Sequence, residues 1–253
     1  MRVLVDIGKR SLERFIELEA FDRSMALAGQ AFATLLPLLI VFGTVAQGSS
    51  DELAEDLIDK FDVSGDAADA IREAIAQPPG SGLSVVGALL LVISALSFTR
   101  AMQRLYVRAW RLPPLGLRVN LWGLAWLLLF VAFWSMQPAV IALFGDVLAF
   151  AVSLALSTLM WLWTPYLLVA RRVHWRRLLP QALLSAVGLG AVAIGGAIYL
   201  PRAIGSASAQ FGVLGVAFTL LSLLFAIAFV LVVTAALGAT LAETKLPSFP
   251  RRR

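Results

Sequence analysis

Residues 213–241 read VLGVAFTLLSLLFAIAFVLVVTAALGATL and contain no charged side chain. A helix needs about 20 predominantly apolar residues to cross the hydrocarbon core of a bilayer, so this stretch is long enough to cross it and to tilt or project beyond it. Polar and apolar residues do not alternate along it, as they would in a strand of a transmembrane barrel. The pattern therefore predicts a transmembrane helix.

Five more apolar stretches precede this one, separated by short breaks. The six predicted spans are residues 26–47, 83–98, 119–144, 147–170, 179–200 and 213–241. Hydrophobic residues make up 60% of the chain and charged residues 15%, whereas a soluble domain has about half and a quarter, respectively. We expect an all-α polytopic membrane protein with a single six-helix domain over residues 1–253.

The basic residues predict the orientation of these helices. When the N-terminus is placed in the cytoplasm, Lys60, Arg72 and Arg202 are the only ones of the 21 Lys and Arg residues that fall outside. Cytoplasmic loops of membrane proteins carry an excess of Lys and Arg, so both termini are expected in the cytoplasm. The net charge of +5 follows from this sorting, and nucleic acid is not an expected partner.

The longest outer loop, residues 48–82, is rich in acidic residues but keeps a helical pattern. Leu53, Leu57 and Phe61 recur on one helical face, and Gly65 interrupts the pattern before a second apolar stripe. The loop is expected to form two short amphipathic helices outside the membrane. A calcium site is an alternative interpretation of the acids, but their spacing matches no EF-hand loop, and we expect no metal.

Residues 99–114, on the cytoplasmic side, place basic and apolar side chains on opposite faces of a helix. The basic face carries Arg100, Arg104, Arg108 and Arg111. This pattern predicts an interfacial helix whose basic face meets anionic headgroups or the cytoplasm. Anchoring to the membrane is one role for this face, and headgroup binding or gating is the other.

Few polar residues lie within the predicted spans, and no ionisable residue lies deep inside them, which disfavours a proton relay. Pro37 frees a backbone carbonyl that protein or water must satisfy. In one interpretation the polar residues line a cavity of unwound helices. In the other they form interhelical hydrogen bonds and ordinary kinks. The candidate cavity residues are Gln30, Thr34, Pro37, Ser94, Ser97, Gln137 and Pro165.

Small residues crowd the fifth predicted span. They are Ser185, Gly188, Gly190, Ala191, Gly195 and Gly196. Because small residues let helix backbones approach closely in membranes, the pattern favours tight packing of this helix against a neighbour.

Groups that carry catalysis or bind metals are scarce. The chain has no Cys and a single His, His174, which excludes disulfides and thiolate sites and leaves the histidine without a nearby carboxylate. Hydrolysis of a phosphodiester needs carboxylates or histidines clustered around metal ions, but the cytoplasmic acids are interleaved with basic residues. We therefore expect no catalytic site and no cofactor.

Four stretches, taken in order, resemble the YihY/BrkB family of bacterial inner-membrane proteins, formerly labelled ribonuclease BN. They are AGQAFATLLPLL (28–39), VGAL (86–89) running to RAMQRL (100–105), WRRLLPQAL (175–183) and FGVLGV (211–216). The resemblance covers nearly the whole chain and implies six helices in the bacterial cytoplasmic (inner) membrane and an envelope-related or transport-like role. Where the family usually carries Gly-Ala-Glu, this chain has Gly238, Ala239 and Thr240, and Glu243 follows three residues later.

The sequence supports two hypotheses about function. One is a membrane protein that transports or handles lipids or envelope components through a cavity in its helix bundle. The alternative is a non-transporting scaffold for envelope integrity or stress resistance. The expected partners are membrane lipids, with anionic headgroups on the cytoplasmic side, and the sequence leaves a homo-oligomer open.

Overall fold

The computed structural model describes residues 2–45, 55, 58–59, 65, 68–69, 72, 82–114 and 120–245. Regular structure in this part of the chain is entirely helical, as the sequence predicts. Its long helices are α1 (Arg2–Glu17), α2 (Ala20–Val45), α3 (Gly82–Ala109), α4 (Asn120–Leu168) and α5 (Trp175–Lys245).

Contacts within the chain divide it into two compact units. Unit 1 comprises Met1–Ser24, Thr99–Gly190 and Phe229–Arg253, and unit 2 comprises Met25–Phe98 and Ala191–Ala228. The boundaries fall inside α2, α3 and α5 rather than in loops. This division does not decide whether the chain forms one membrane domain, which stays a prediction.

A two-residue junction, Leu18–Glu19, joins α1 to α2. Glu19 has a positive φ of 50°, a left-handed backbone conformation that is uncommon for residues other than glycine. The backbone N–H of Leu18 donates to Arg14 O at 3.0 Å, and that of Glu19 donates to Ile16 O at 2.9 Å. These bonds satisfy two carbonyls at the end of α1, and α2 then begins ahead of the span predicted from residue 26.

The C-terminal part of α3, which is predicted to be cytoplasmic, differs from its prediction in one respect. The span at 83–98 and the interfacial helix at 99–114 are predicted as separate elements, but Gly82–Ala109 is one helix. No Gly or Pro lies near the expected boundary, so nothing breaks the backbone hydrogen-bond ladder there. Met102 and Tyr106 on the apolar face are buried, so this face packs against protein rather than among headgroups.

The helix α4 covers both the third and the fourth predicted spans. Trp126 Nε1 donates a hydrogen bond to Thr164 Oγ1 at 3.1 Å, across 38 residues of sequence. A straight helix would separate these residues by about 57 Å, so α4 turns back on itself between them. The side chains around the predicted turn, Gly145 and Asp146, lie outside the described residues.

The helix α5 is likewise a hairpin, with an N-terminal limb (residues 175–211) and a C-terminal limb (residues 213–245). Gly212 between them has φ 58° and ψ −138°, a conformation that glycine adopts without steric cost. Ser185 and Thr234, 49 residues apart, share a hydroxyl–hydroxyl hydrogen bond of 2.8 Å, which places the limbs side by side there. The fifth and sixth predicted spans fall one on each limb, but residues 201–211, predicted as a connection, are also helical.

Hydropathy supports a membrane protein. Among the described residues, the helical stretch Trp175–Glu243 is long and apolar enough to cross a bilayer, with a mean hydropathy of 2.9 in its most apolar window. Trp122–Phe133 and Val152–Leu168 are shorter apolar helices. The number of spans and the cytoplasmic position of the termini stay predictions.

In the loop that is predicted to lie outside the membrane, the described residues are helical on both sides of Gly65. They are Glu55, Ile58 and Asp59 before it and Ala68, Asp69 and Arg72 after it. Gly65 itself has φ 62° and lies where the apolar pattern is interrupted. Ile58 and Ala68 are buried against Ile204, and Arg72 contacts Glu55 at 2.9 Å. The remainder of residues 46–81 lies outside the described part of the chain.

Candidate functional site: an apolar cavity and a basic surface

A cavity of about 580 Å³ lies between the two limbs of α5 in unit 2. Gly195, Gly196 and Tyr199 line it from the N-terminal limb, and Thr219 and Ser222 line it from the C-terminal limb. Pockets that hold small ligands in proteins measure about 300–1,000 Å³. The space is therefore large enough for a ligand or for a substantial part of a lipid chain.

The space exists because glycines at positions 195 and 196 have no side chain to fill it. A methyl group added at Gly195 would meet no atom within 4 Å, and one added at Gly196 would lie 3.5 Å from Leu223 Cδ1. Larger residues at these positions would close the gap between the limbs. The fifth predicted span therefore combines tight packing elsewhere with open space here, whereas its small residues suggested tight packing throughout.

The polar groups of the cavity are largely engaged by their own helix. Thr219 Oγ1 donates to Gly215 O at 2.8 Å, and Ser222 Oγ donates to Phe218 O at 2.8 Å. Ser206 Oγ likewise donates to the Ala203 carbonyl at 3.2 Å. Because these three hydroxyl protons are already donated, Gln210 and the hydroxyl group of Tyr199 are the polar groups left to an occupant on a lining that is otherwise mainly apolar.

The predicted cavity residues lie elsewhere. Gln30, Thr34, Ser94 and Ser97 belong to unit 2 and Pro165 to unit 1, and none of them lines the cavity between the limbs. The side chains of Pro37 and Gln137 lie outside the described residues. The prediction that these residues line a cavity of their own stays a prediction.

Two of these residues show how intramembrane polar groups are satisfied. Thr34 Oγ1 donates to Ala31 O at 2.6 Å, and Ser97 Oγ donates to Ile93 O at 2.8 Å. Both bonds lie within one helix, as expected for hydroxyl groups in a membrane helix. Gln30 Oε1, in contrast, is buried and has no hydrogen-bond donor among the described residues.

The four predicted headgroup arginines are all exposed, but they differ in their contacts. Arg111 Nη2 donates to both carboxylate oxygens of Glu17, at 3.0 and 2.8 Å. This hydrogen bond and the charge of Arg111 hold the pKa of Glu17 below its usual range. Arg108 lies 3.9 Å from Glu19, whereas Arg100 and Arg104 pair with no carboxylate among the described residues. Arg111 is therefore engaged by the protein itself, which the sequence pattern did not show.

A buried polar cluster occupies unit 1. The indole Nε1–H of Trp110 donates to Gln181 Oε1 at 3.0 Å. This bond fixes the orientation of the amide, because a flipped amide would face one N–H with another. Gln181 Nε2 and the hydroxyl of Tyr106 have no hydrogen-bond partner among the described residues. Burial raises the pKa of Tyr106, so the phenol stays neutral.

An ion pair joins α1 to the end of α5. Arg14 is 3% exposed and its Nη2 lies 2.8 Å from Glu243 Oε1, whose side chain is 53% exposed. The rings of Phe15 and Phe229 meet edge to face at 5.9 Å in the same region. Glu243, the acid displaced by three residues from the Gly-Ala-Glu position, thus has a defined structural contact.

The comparisons with known proteins give one match. The family model described as "Virulence factor BrkB" matches residues 11–253. No curated protein and no solved structure shows significant similarity to the chain. Among the described residues, no group of three or more potential metal ligands occurs. Because the family model covers nearly the whole length, the chain belongs to the BrkB family, which is the YihY/BrkB family of membrane proteins that its sequence resembles.

Proposed function

We propose that the protein handles membrane lipids, and that the cavity between the limbs of α5 holds an acyl chain. The observation that carries the proposal is the lining of this cavity. Its volume of about 580 Å³ is bounded mainly by glycine, aliphatic and aromatic side chains, with Gln210 and three hydroxyl residues as polar members. The hydroxyl groups of Ser206, Thr219 and Ser222 donate to carbonyls of their own limb. A polar substrate would find few hydrogen-bond donors there.

The energetics favour an apolar occupant. Side chains beside an empty space lose the dispersion contacts that close packing would give them. A flexible hydrocarbon chain restores those contacts and has no polar group to desolvate. Tyr199 and Phe211, which also line the cavity, are 70% and 67% exposed and add aromatic surface at its edge.

Family membership is consistent with binding rather than bond cleavage, since members are generally not assigned a catalytic activity. The proposal places the protein in the bacterial cytoplasmic membrane with both termini in the cytoplasm, because the basic residues are sorted in that way. Transport of lipid is one form of such handling.

Photocrosslinking tests the proposal. The full chain in nanodiscs receives a phospholipid that carries a diazirine in its acyl chain, and the labelled peptides are mapped by mass spectrometry. We expect labelling of residues 192–226, and a clear decrease after Gly195→Phe, which fills the cavity. Gly190→Phe is the matched control, because an added methyl group at Gly190 also meets nothing within 4 Å but Gly190 does not line the cavity.

Two results would contradict the proposal. One is labelling of Gly195→Phe that equals both the wild type and Gly190→Phe. The other is the absence of labelling at these residues in the wild type, which would favour the scaffold hypothesis.

A further inference from the structure

We propose that Arg23, Arg104 and Arg108 form a binding site for the phosphate of an anionic phospholipid, with Glu19 as an internal competitor for the same arginines. The site lies in unit 1 and involves none of the residues of the cavity. The inference therefore stands or falls independently of the proposed function.

The contacts of Glu19 point to this site. One oxygen, Oε2, lies 3.7 Å from Arg23 Nη2 and 3.9 Å from Arg108 Nη1. Both distances are too long for hydrogen bonds, which join charged N–H groups to carboxylates at about 2.7–2.9 Å. A single carboxylate thus lies between two guanidinium groups and satisfies neither of them.

Charge is unbalanced around this carboxylate. Burial and the nearby charges of Arg108 and Arg104 lower the pKa of Arg23, against the opposing charge of Glu19. Arg23 is therefore repelled by two arginines, and Glu19 offsets this only in part. Arg104 pairs with no carboxylate among the described residues. Arg111, by comparison, donates two hydrogen bonds of 3.0 and 2.8 Å to Glu17. Its charge is therefore already balanced by a carboxylate at hydrogen-bond distance.

The backbone holds the cluster in place. Arg23 Nε donates to the carbonyl of Leu18 at 2.6 Å, which fixes the guanidinium against the junction of α1 and α2. Glu19 occupies the left-handed conformation at this junction, and Arg104 and Arg108 lie one turn apart on α3. A phosphate offers several oxygens to converging guanidinium groups, and arginine suits such recognition better than lysine.

The surrounding surface indicates a lipid rather than free phosphate. Leu12, Ile16 and Phe21 in unit 1 are 60%, 67% and 61% exposed. Exposed apolar residues beside basic ones are typical of helices that lie in the membrane interface. A phospholipid would offer acyl chains to exposed apolar residues such as these, which are close to Glu19 in sequence, whereas free phosphate would not.

Native mass spectrometry of the full chain in detergent tests the inference, with phosphatidylglycerol as the probe and phosphatidylcholine of the same chain length as reference. We expect Arg23→Gln and Arg108→Gln each to weaken phosphatidylglycerol binding about fivefold. Glu19→Gln should instead strengthen it, because the internal competitor is lost. Arg100→Gln is the matched control: it removes the same charge from the same face of α3, outside the cluster.

A second variant separates binding from folding. Arg23→Lys keeps the charge but loses the planar fork of the guanidinium, and we expect it to fold and to bind with intermediate strength. The inference is overturned if Arg100→Gln weakens binding as much as Arg23→Gln does, or if Glu19→Gln weakens it. It is also overturned if inorganic phosphate at millimolar concentration displaces the lipid, since the ligand would then be free phosphate.

Discussion

The limbs of α5 meet closely in unit 1 and leave a cavity in unit 2. In unit 1, a methyl group added at Gly188 would lie 2.8 Å from Val230 Cγ1, and Ser185 and Thr234 share a hydrogen bond. In unit 2, Gly195 faces open space and borders the cavity. Small residues thus permit close packing where the facing limb approaches them, as at Gly188 and also at Gly215 beside Ala207, and they leave open space where it does not, as at Gly195.

Hydroxyl groups also differ between the two units. In unit 1, Ser185 and Thr234 bond to each other across the limbs at 2.8 Å, although Thr240 bonds within its own limb. Hydroxyl groups at the cavity bond within their own limb, as Thr219 does to the Gly215 carbonyl. A hydrogen bond between two helices stabilises their packing. A hydrogen bond within one helix does not hold the facing helix, so a ligand can occupy the space between them. The contacts in unit 1 therefore stabilise the packing of the limbs, and the open space in unit 2 is consistent with the proposed lipid binding.

The largest expected effect is the difference in the free energy of unfolding between Gly238→Ala and Gly195→Ala. A methyl group at position 238 would lie 2.7 Å from the backbone Cα of Gln181, so the limbs must move apart, and overpacking of this kind costs about 3 kcal/mol at its upper end. Gly195→Ala adds its methyl group to open space and should be neutral or stabilising by about 0.5–1 kcal/mol, because alanine favours helices. Unfolding in mixed micelles of detergent and SDS measures both free energies.

Equal stability changes at the two positions would contradict the contrast between the close packing in unit 1 and the open space in unit 2. The Trp110–Gln181 hydrogen bond offers a second readout, because displacement of Gln181 by Gly238→Ala should alter the fluorescence of Trp110. Gly195→Ala should leave that fluorescence unchanged.

The sequence predicts part of this contrast and misses the rest. Apolar length predicts the helices, and the predicted start of the sixth span at residue 213 coincides with the break between the limbs of α5 at Gly212. The sequence pattern suggested that residues 83–98 and 99–114 form separate helices, but the hydrogen-bond ladder of α3 continues from one into the other. The pattern also placed Arg111 on an exposed basic face but gave no sign of Glu17, which lies 94 residues away in sequence.

The cavity was missed for a physical reason. A cavity forms where the side chains of two facing helices do not fill the space between them. Which side chains face one another depends on the register of the helices, which neither sequence determines alone. A glycine in a helix can either leave open space, as Gly195 and Gly196 do, or permit close packing, as Gly188 does. The spacing of polar residues drew attention to Gln30 and Thr34 instead.

A smaller effect is expected from Thr234→Val, which removes the hydroxyl group that bonds across the limbs and nearly preserves the volume. The lost hydrogen bond should destabilise the protein by about 0.6–1 kcal/mol. Thr219→Val is its control, since the hydroxyl group of Thr219 donates to a carbonyl of its own limb. The same mixed-micelle unfolding applies, and a larger loss for Thr219→Val would remove the distinction between bonds across the limbs and bonds within one.

The smallest effect concerns the ion pair of Arg111 and Glu17 on the surface of unit 1, and it depends on pH. Because Arg111 holds the pKa of Glu17 below its usual range, the pair stabilises the folded state fully above the ordinary glutamate value of about 4.3. That contribution is lost as the pH falls through the lower folded pKa. The difference in stability between wild type and Arg111→Gln should therefore be present at neutral pH and shrink in acid.

This difference in stability should also be small and decrease with added salt, since both side chains are 55% exposed and exposed pairs are strongly screened. A difference that stays constant from neutral pH to pH values below about 3 would mean that Arg111 acts through packing rather than through its charge on Glu17.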